Sequence, residues 1–273
     1  MADTQLTTIQ TLKGYLSADS VKSRFAEMLG KKAAGFTASV LSVASNNALL
    51  SKADPKSILN SAMVAATLDL PVNQNLGFAY IVPFYDGKTR TTNAQLQIGW
   101  RGFVQLAERS GQYKTINVTE IYEGQIKSSN PVTGKYELGE PTSDTVVGYM
   151  AYFELINGFE KYLYWTKEQC EKHGRQYSQT YRKGGGVWAS SFDDMAKKTV
   201  LKQLLSKWGM LSIEMQRAQV FDQAVVKTDL SAENVSVDEA EIYYADNDQA
   251  SARTGAFMAE NAEDAEIEEE EKK

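Results

Sequence analysis

The residues best suited to chemistry lie between Lys161 and Lys207, where ten basic and four acidic side chains leave a surplus of six positive charges. Tyr177, Tyr181 and Trp188 are interleaved there with Arg175, Arg182 and Lys183. Cations that neutralise phosphates, set beside rings on which bases stack, are the composition single-stranded nucleic acid requires. A solvated loop with incidental tyrosines is the competing reading. The next segment, SSFDDMAKKTVLKQLLSKWG, adds Lys197, Lys198 and Lys202, the last two four residues apart and so one above the other on a helix. A third basic contribution is the corner GWRGFVQLAERSGQYK. Gly99 and Gly102 bracket Trp100-Arg101, a pattern of tight turns and close backbone approach. Arg101 then sits near a helix start, where free N–H groups favour phosphate. Arg109 and Lys114 follow. For Arg101 and Arg109, pairing with a local carboxylate such as Glu108 is the alternative.

Other chemistries lack their parts. His173 is the one histidine, so a histidine relay or histidine metal cluster is not expected. At a helix end in EKHGR it reads as a surface residue near the helix C-terminus. The single cysteine, Cys170, excludes an intramolecular disulfide framework, and a Cys170–His173 dyad lacks a third, orienting group. No G-x-x-x-x-G-K-[ST] loop is present, and Gly184-Gly185-Gly186 reads as a flexible loop. Asp193-Asp194 could hold a nuclease metal, but adjacent acids at a helix start first suggest charge complementing the helix dipole. Ser191 is the expected N-cap. The pairs Asp193–Lys197 and Asp194–Lys198 have favoured i,i+4 spacing. No cofactor is expected.

The net charge of −6 argues against a nucleic-acid binder only until it is divided. Residues 229–273 hold 15 acidic and 3 basic side chains, whereas residues 1–228 hold 20 and 26. A basic body thus carries an acidic tail. The tail could compete with DNA for the body, recruit a partner, or aid solubility. No run approaches ~18 uninterrupted apolar residues, and no apolar leader opens the chain, so a cytoplasmic protein is expected.

The elements that must position these residues follow a helix–strand–helix order. Helices are expected over much of residues 1–70, with Asp19 as an N-cap, Gly30 as a stop, a long helix over 32–52, and Asp54-Pro55 opening another. These helices could pack on the sheet or mediate subunit contacts. Residues 71–165 carry strand patterns: 76–84, 93–100 with Gln95 and Gln97 facing solvent, 113–122, and a hairpin of 146–155 and 159–165 around Asn157-Gly158. Residues 123–143 read as a turn-rich excursion, and 174–186 as a polar loop. Helices return at 192–208 and 213–226. The fold class is α+β: N-terminal helices, a central antiparallel sheet with a hairpin, C-terminal helices, and a disordered acidic tail from 229. Residues 1–228 are expected to form one domain.

Three segments, LDLPVNQNLGFAYIVPFYDG, AQLQIGWRGFVQLAERSGQY and NVTEIYEGQ, together with SSFDDMAKKTVLKQLLSKWG, resemble the signature of RecT/Redβ-type phage recombinases. The corner and the late helix lie about a hundred residues apart in the order seen in that family, and the resemblance covers roughly 6–226. It implies a phage- or prophage-encoded single-strand annealing protein. Such a protein binds single-stranded DNA, assembles into rings or helical filaments, and pairs complementary strands without ATP through an annealed duplex intermediate. A 5′→3′ exonuclease and host single-strand-binding protein are the implied partners. Carried over to this chain, the corner cation is Arg101 and the late-helix lysines are Lys197, Lys198 and Lys202. Trp100 stands where many relatives have Tyr, as a base contact or a core residue. A passive single-strand binder is the alternative function, and a carboxylate nuclease a third.

Overall fold

The computed structural model describes residues 7–87, 89–232 and 235–245. Helix α4 (Pro55–Thr67) organises the N-terminal half. Asp54 caps it, accepting from the N–H groups of Lys56 and Ser57 at 3.4 and 2.9 Å, and Pro55 occupies the first helical position. Every residue from Ser57 to Ala66 is buried. Helices α1 (Thr8–Ser17) and α2 (Asp19–Leu29) pack on α4, and α3 (Ala33–Asn46) packs on both. Gly30 ends α2 with a φ of +54°. Asp19 is the first helical residue rather than the cap, a position taken by Ala18. The helix expected over 32–52 stops at Asn46, because the Asn47 side chain accepts from the N–H groups of Leu49 and Leu50 and turns the chain.

On the other side α4 meets strand β2 (Thr91–Ile98), which pairs antiparallel with β1 (Ala79–Asp86), Ala79 opposite Ile98 and Asp86 opposite Thr91. Ala94, Leu96 and Ile98 are buried, as their alternation requires. Gln95 and Gln97 were expected in solvent but are also buried, since a second layer covers that face. Helix α5 (Trp100–Arg109) leads from β2 into a separate antiparallel sheet in the order β3 (Tyr113–Tyr122), β6 (Val146–Leu155), β7 (Glu160–Thr166). Gly158, with φ +84°, makes the turn between β6 and β7. Residues 123–143 are more regular than expected and include the hairpin β4 (Ile126–Asn130) and β5 (Lys135–Leu138). The fold is α+β, with its strands divided among separate sheets.

Helix α6 (Lys167–Tyr177) runs into the segment 174–186 expected as a polar loop, which also holds α7 (Gln179–Arg182), and α8 (Val187–Ser190) follows it. Thr166 and Gln169 form a capping box that starts α6. Helix α9 (Phe192–Trp208) lies against the β3-β6-β7 sheet and against α5. Of the apolar face that helical spacing predicts for it, Met195, Ala196, Thr199, Val200 and Leu204 are buried but Phe192 and Trp208 are not, and Lys198, Leu201 and Leu205 are buried as well. Helix α10 (Ile213–Phe221) packs on α5.

The chain stays with the body after Thr228. Strand β8 (Val225–Val226) pairs with β9 (Ile242–Tyr243). Asn60, buried in α4, donates to the carbonyls of Val226 and Thr228 at 3.2 and 2.8 Å and accepts from the Leu230 N–H at 3.1 Å. Lys56–Asp229 and Arg217–Asp238 ion pairs hold the same segment, and the Arg24 guanidinium donates to the carbonyls of Ala232 and Val235. The division expected at residue 228 thus falls inside packed structure. The most acidic stretch, Glu268–Glu271, lies outside the described residues. Among the described residues no helix is long and apolar enough to cross a membrane.

The corner between β2 and α5 explains its glycines. A Cβ on Gly99 would lie 2.2 Å from the Gly77 carbonyl oxygen, and one on Gly102 2.2 Å from that of Phe78. The Gly99 N–H donates to the Phe78 carbonyl at 2.9 Å, so the two backbones touch with no room for a side chain. Gly102→Ala should therefore destabilise the fold by ~1–3 kcal/mol, the usual cost of overpacking, read as a lower midpoint in urea unfolding.

Candidate nucleic-acid interface

The Gly77–Gly99 contact sets the first helical turn of α5 at the edge of a cleft of about 440 Å³ lined by Asn75, Tyr80, Trp100 and Arg101. No side chain caps this helix. Arg101 is exposed and forms no ion pair with a described residue. Its guanidinium carbon lies 5.3 Å from the Trp100 ring centroid, and Lys197 Nζ lies at the same distance from that ring. Trp100 Nε1 donates to Asp194 at 3.2 Å. The indole is thus fixed by a carboxylate and flanked by two cations, with part of its surface open.

The late-helix lysines do not form one exposed stripe. Lys197 bonds Glu120 at 2.8 Å and approaches Asp194 at 3.4 Å, with its side chain only 14% exposed. Burial opposes its charge, but the hydrogen bond and field of Glu120, then those of Asp194, more than offset it and raise its pKa. Lys198 is 5% exposed and bonds Asp222 Oδ1 at 2.7 Å, and Lys202 bonds Asp222 Oδ2 at 2.8 Å. Asp222 Oδ1 also accepts from the Ile98 N–H at 2.9 Å. Burial pushes the Lys198 ammonium down to about 8, against the pull of Asp222. For Asp222 burial acts the other way, but the two lysines outweigh it and hold the carboxyl below its usual range. The expected i,i+4 pairs are replaced by these contacts, because α9 is enclosed and its lysines meet carboxylates from other elements.

The remaining sequence candidates are dispersed. Arg109 donates to the carbonyls of Leu68 and Asp69 at 2.7 and 2.8 Å, closing the end of α4. Lys114 pairs with Glu154 at 2.7 Å on the neighbouring strand. Arg175 pairs with Glu171 at 2.9 Å and lies 5.3 Å over the Tyr181 ring, which stacks on Trp188 with centroids 5.7 Å apart. Arg182 donates to the carbonyls of Arg175 and Gln176, finishing α6. Lys183 is exposed. Asp193 accepts from the Tyr149 hydroxyl at 2.5 Å. Both acids lie in the first turn of α9, yet Ser191 makes no side-chain capping bond. Among the described residues no three acidic, histidine or cysteine groups are placed to hold a metal.

His173 is not on the surface as expected. It packs between Trp165 and Tyr177, at 5.3 and 4.5 Å between centroids. Burial, then the nearby charge of Lys202, pushes its pKa down to about 4. Burial pushes the Cys170 thiol up to about 12. Both shifts oppose the ionised state that a thiolate–imidazolium pair needs.

A second cleft, of about 390 Å³, adjoins the first and shares Val82, Pro83, Gln97, Val187, Met195 and Lys198 with it. Its walls bring together Tyr177, Lys198 and Lys202 among the sequence candidates, and Gln95, Gln219, Asp222 and Tyr244, which sequence reasoning missed. The i,i+2 spacing of Gln95 and Gln97 did signal that both share one face of β2.

A model of the RecT family matches residues 34–246. A Bacillus subtilis (strain 168) protein known as uncharacterized protein YqaK is 51% identical over 229 residues, 83% of this chain and 75% of the relative. Protein RecT of Escherichia coli (strain K12) is 30% identical over 181 residues, 64% of this chain and 65% of the relative.

Asp222 gives this arrangement a direct stability test. Asp222→Asn leaves Lys198 buried without its carboxylate and should cost ~3–5 kcal/mol in chemical unfolding. In the parent protein the Asp222 contribution is present above its unfolded pKa, near the ordinary 3.8 of an aspartate, and is lost as pH falls through its lower folded pKa. Stability measured from pH 6 into the acid range should therefore fall more steeply in the parent than in Asp222→Asn.

Proposed function

The chain belongs to the RecT family, and from that premise we propose that it holds single-stranded DNA at the Arg101 cleft by its backbone and pairs it with a complementary strand without ATP. Membership makes it, in general terms, a single-strand annealing recombination protein. The observation that carries the reading for this chain is Arg101, an exposed cation without an ion-pair partner among the described residues, beside the uncapped start of α5 and the open part of the Trp100 ring. The start of a helix that no side chain caps and a guanidinium suit a phosphate, and an indole and the Tyr80 ring beside them suit a stacked base. Lys183, Arg175 and Tyr181 offer a secondary track along α6 and α7.

Annealing needs no nucleotide hydrolysis, because stacking in the product supplies ~1.4 kcal/mol per base-pair step. Contacts to the backbone leave base edges free to pair and carry no sequence preference. Many copies on one strand extend the site into a homo-oligomer, and a 5′→3′ exonuclease partner supplies the strand.

Mixing complementary oligonucleotides at low salt without any nucleoside triphosphate should show faster pairing with protein than without. Tight binding with no acceleration would instead indicate a passive single-strand binder. Arg101→Ala should weaken binding to all sequences alike and make the plot of log affinity against log salt shallower by ~0.7, the value for one lost single-strand phosphate contact.

A further inference from the structure

The second cleft differs in chemistry from the Arg101 cleft beside it. Its two lysines, Lys198 and Lys202, are both engaged by Asp222, so it offers no unpaired ammonium to a phosphate. It holds instead two buried amide atoms without a hydrogen-bond partner, Gln95 Oε1 and Gln219 Nε2. Gln95 is only 6% exposed. Leaving such an atom unbonded is costly, so two lining one cleft point to a ligand with matching groups. One is an acceptor and the other a donor. Aromatic surface adjoins them: Tyr177 and His173, 4.5 Å apart, line the cleft with Trp188. Burial keeps His173 neutral at ordinary pH, so the imidazole adds no charge there.

A ligand for such a site is flat and edged with both a donor and an acceptor. We propose that the second cleft receives one unstacked nucleobase of the bound strand, with its edge on Gln95 and Gln219 and its face against Tyr177. This rests on the reading of the neighbouring cleft as a single-strand phosphate site. The volume of about 390 Å³ gives room for a base and part of its sugar. A glutamine amide presents a donor or an acceptor according to its rotation about the last side-chain bond. The pair therefore suits any of the four bases, as a protein that must pair every sequence requires. The shared wall of Val82, Pro83, Gln97 and Met195 lets one strand place a phosphate at Arg101 and a base here.

The test uses the full chain and a thymidine oligonucleotide carrying 5-iodouracil, cross-linked by light and mapped by peptide mass spectrometry. Adducts on Tyr177 or His173 are expected. Adducts confined to Tyr80 and Trp100 would overturn the base site while leaving the strand-binding reading intact, and absence of binding would overturn both. Gln219, half-buried, permits a milder variant than Gln95. Gln219→Leu and Tyr177→Leu should each lower oligonucleotide affinity, by about tenfold for the ring, with an unchanged salt slope. They should leave affinity for a fully abasic strand unaltered. Equal losses on the abasic strand would contradict the proposal and point to a structural role.

Discussion

The buried carboxylate of Asp222 joins the parts of this molecule that matter for its function. Its two oxygens take the ammonium groups of Lys198 and Lys202 and the N–H of Ile98. Three elements, β2, α9 and α10, are thereby fixed to one point. The desolvation that this demands is large, and only the full set of bonds makes it tolerable. Geometry follows from it directly. Gln223 then adopts a φ of +70° and donates from its N–H to the Leu96 carbonyl at 2.7 Å, which keeps the end of α10 on the strand carrying Gln95 and Gln97. Without that carboxylate the floor common to both clefts would lack its anchor.

A division of labour between neighbouring clefts results. Where the carboxylate engages the lysines, the walls are amides and rings. Where it does not reach, at the glycine corner, Arg101 remains available and the helix start remains uncapped. Backbone contact at Gly99 and Gly102 fixes that helix start, so Arg101 is carried by a closely packed part of the fold. The segment after Thr228 adds a further wall: Tyr244 reaches the second cleft, while Asp229 and Asp238 pair with the body. Part of the negative charge that made the chain look unsuited to DNA thus satisfies its own cations.

Much of the element order was legible because it rests on local rules. The Asp54-Pro55 start, the Gly30 stop, the Asn157-Gly158 hairpin and the limits of α9 each depend on residues close in sequence. The Arg101 corner was legible for the same reason, since two glycines three apart announce a close approach. Long-range partners were not. Nothing near Lys198 in sequence indicates that a carboxylate 24 residues later will bury it, and a lysine at helical spacing looks alike on an exposed or an enclosed helix. The contacts of Arg109 and Arg182 were illegible for a similar reason, as their acceptors are main-chain carbonyls, which carry no sequence signature. Gln95 and Gln97 had the alternation of a strand with one wet face, a pattern that cannot reveal a second covering layer.

The central claim is that the lysines of α9 hold the fold while the phosphates meet Arg101. Lys198→Met tests it most directly, because Asp222 retains Lys202 and the Ile98 N–H as partners. The measurement is the dependence of single-strand affinity on salt concentration in the folded variant. A slope equal to that of the parent protein is expected. A slope shallower by ~0.7, one phosphate contact, would show that Lys198 reaches the DNA and would contradict the assignment.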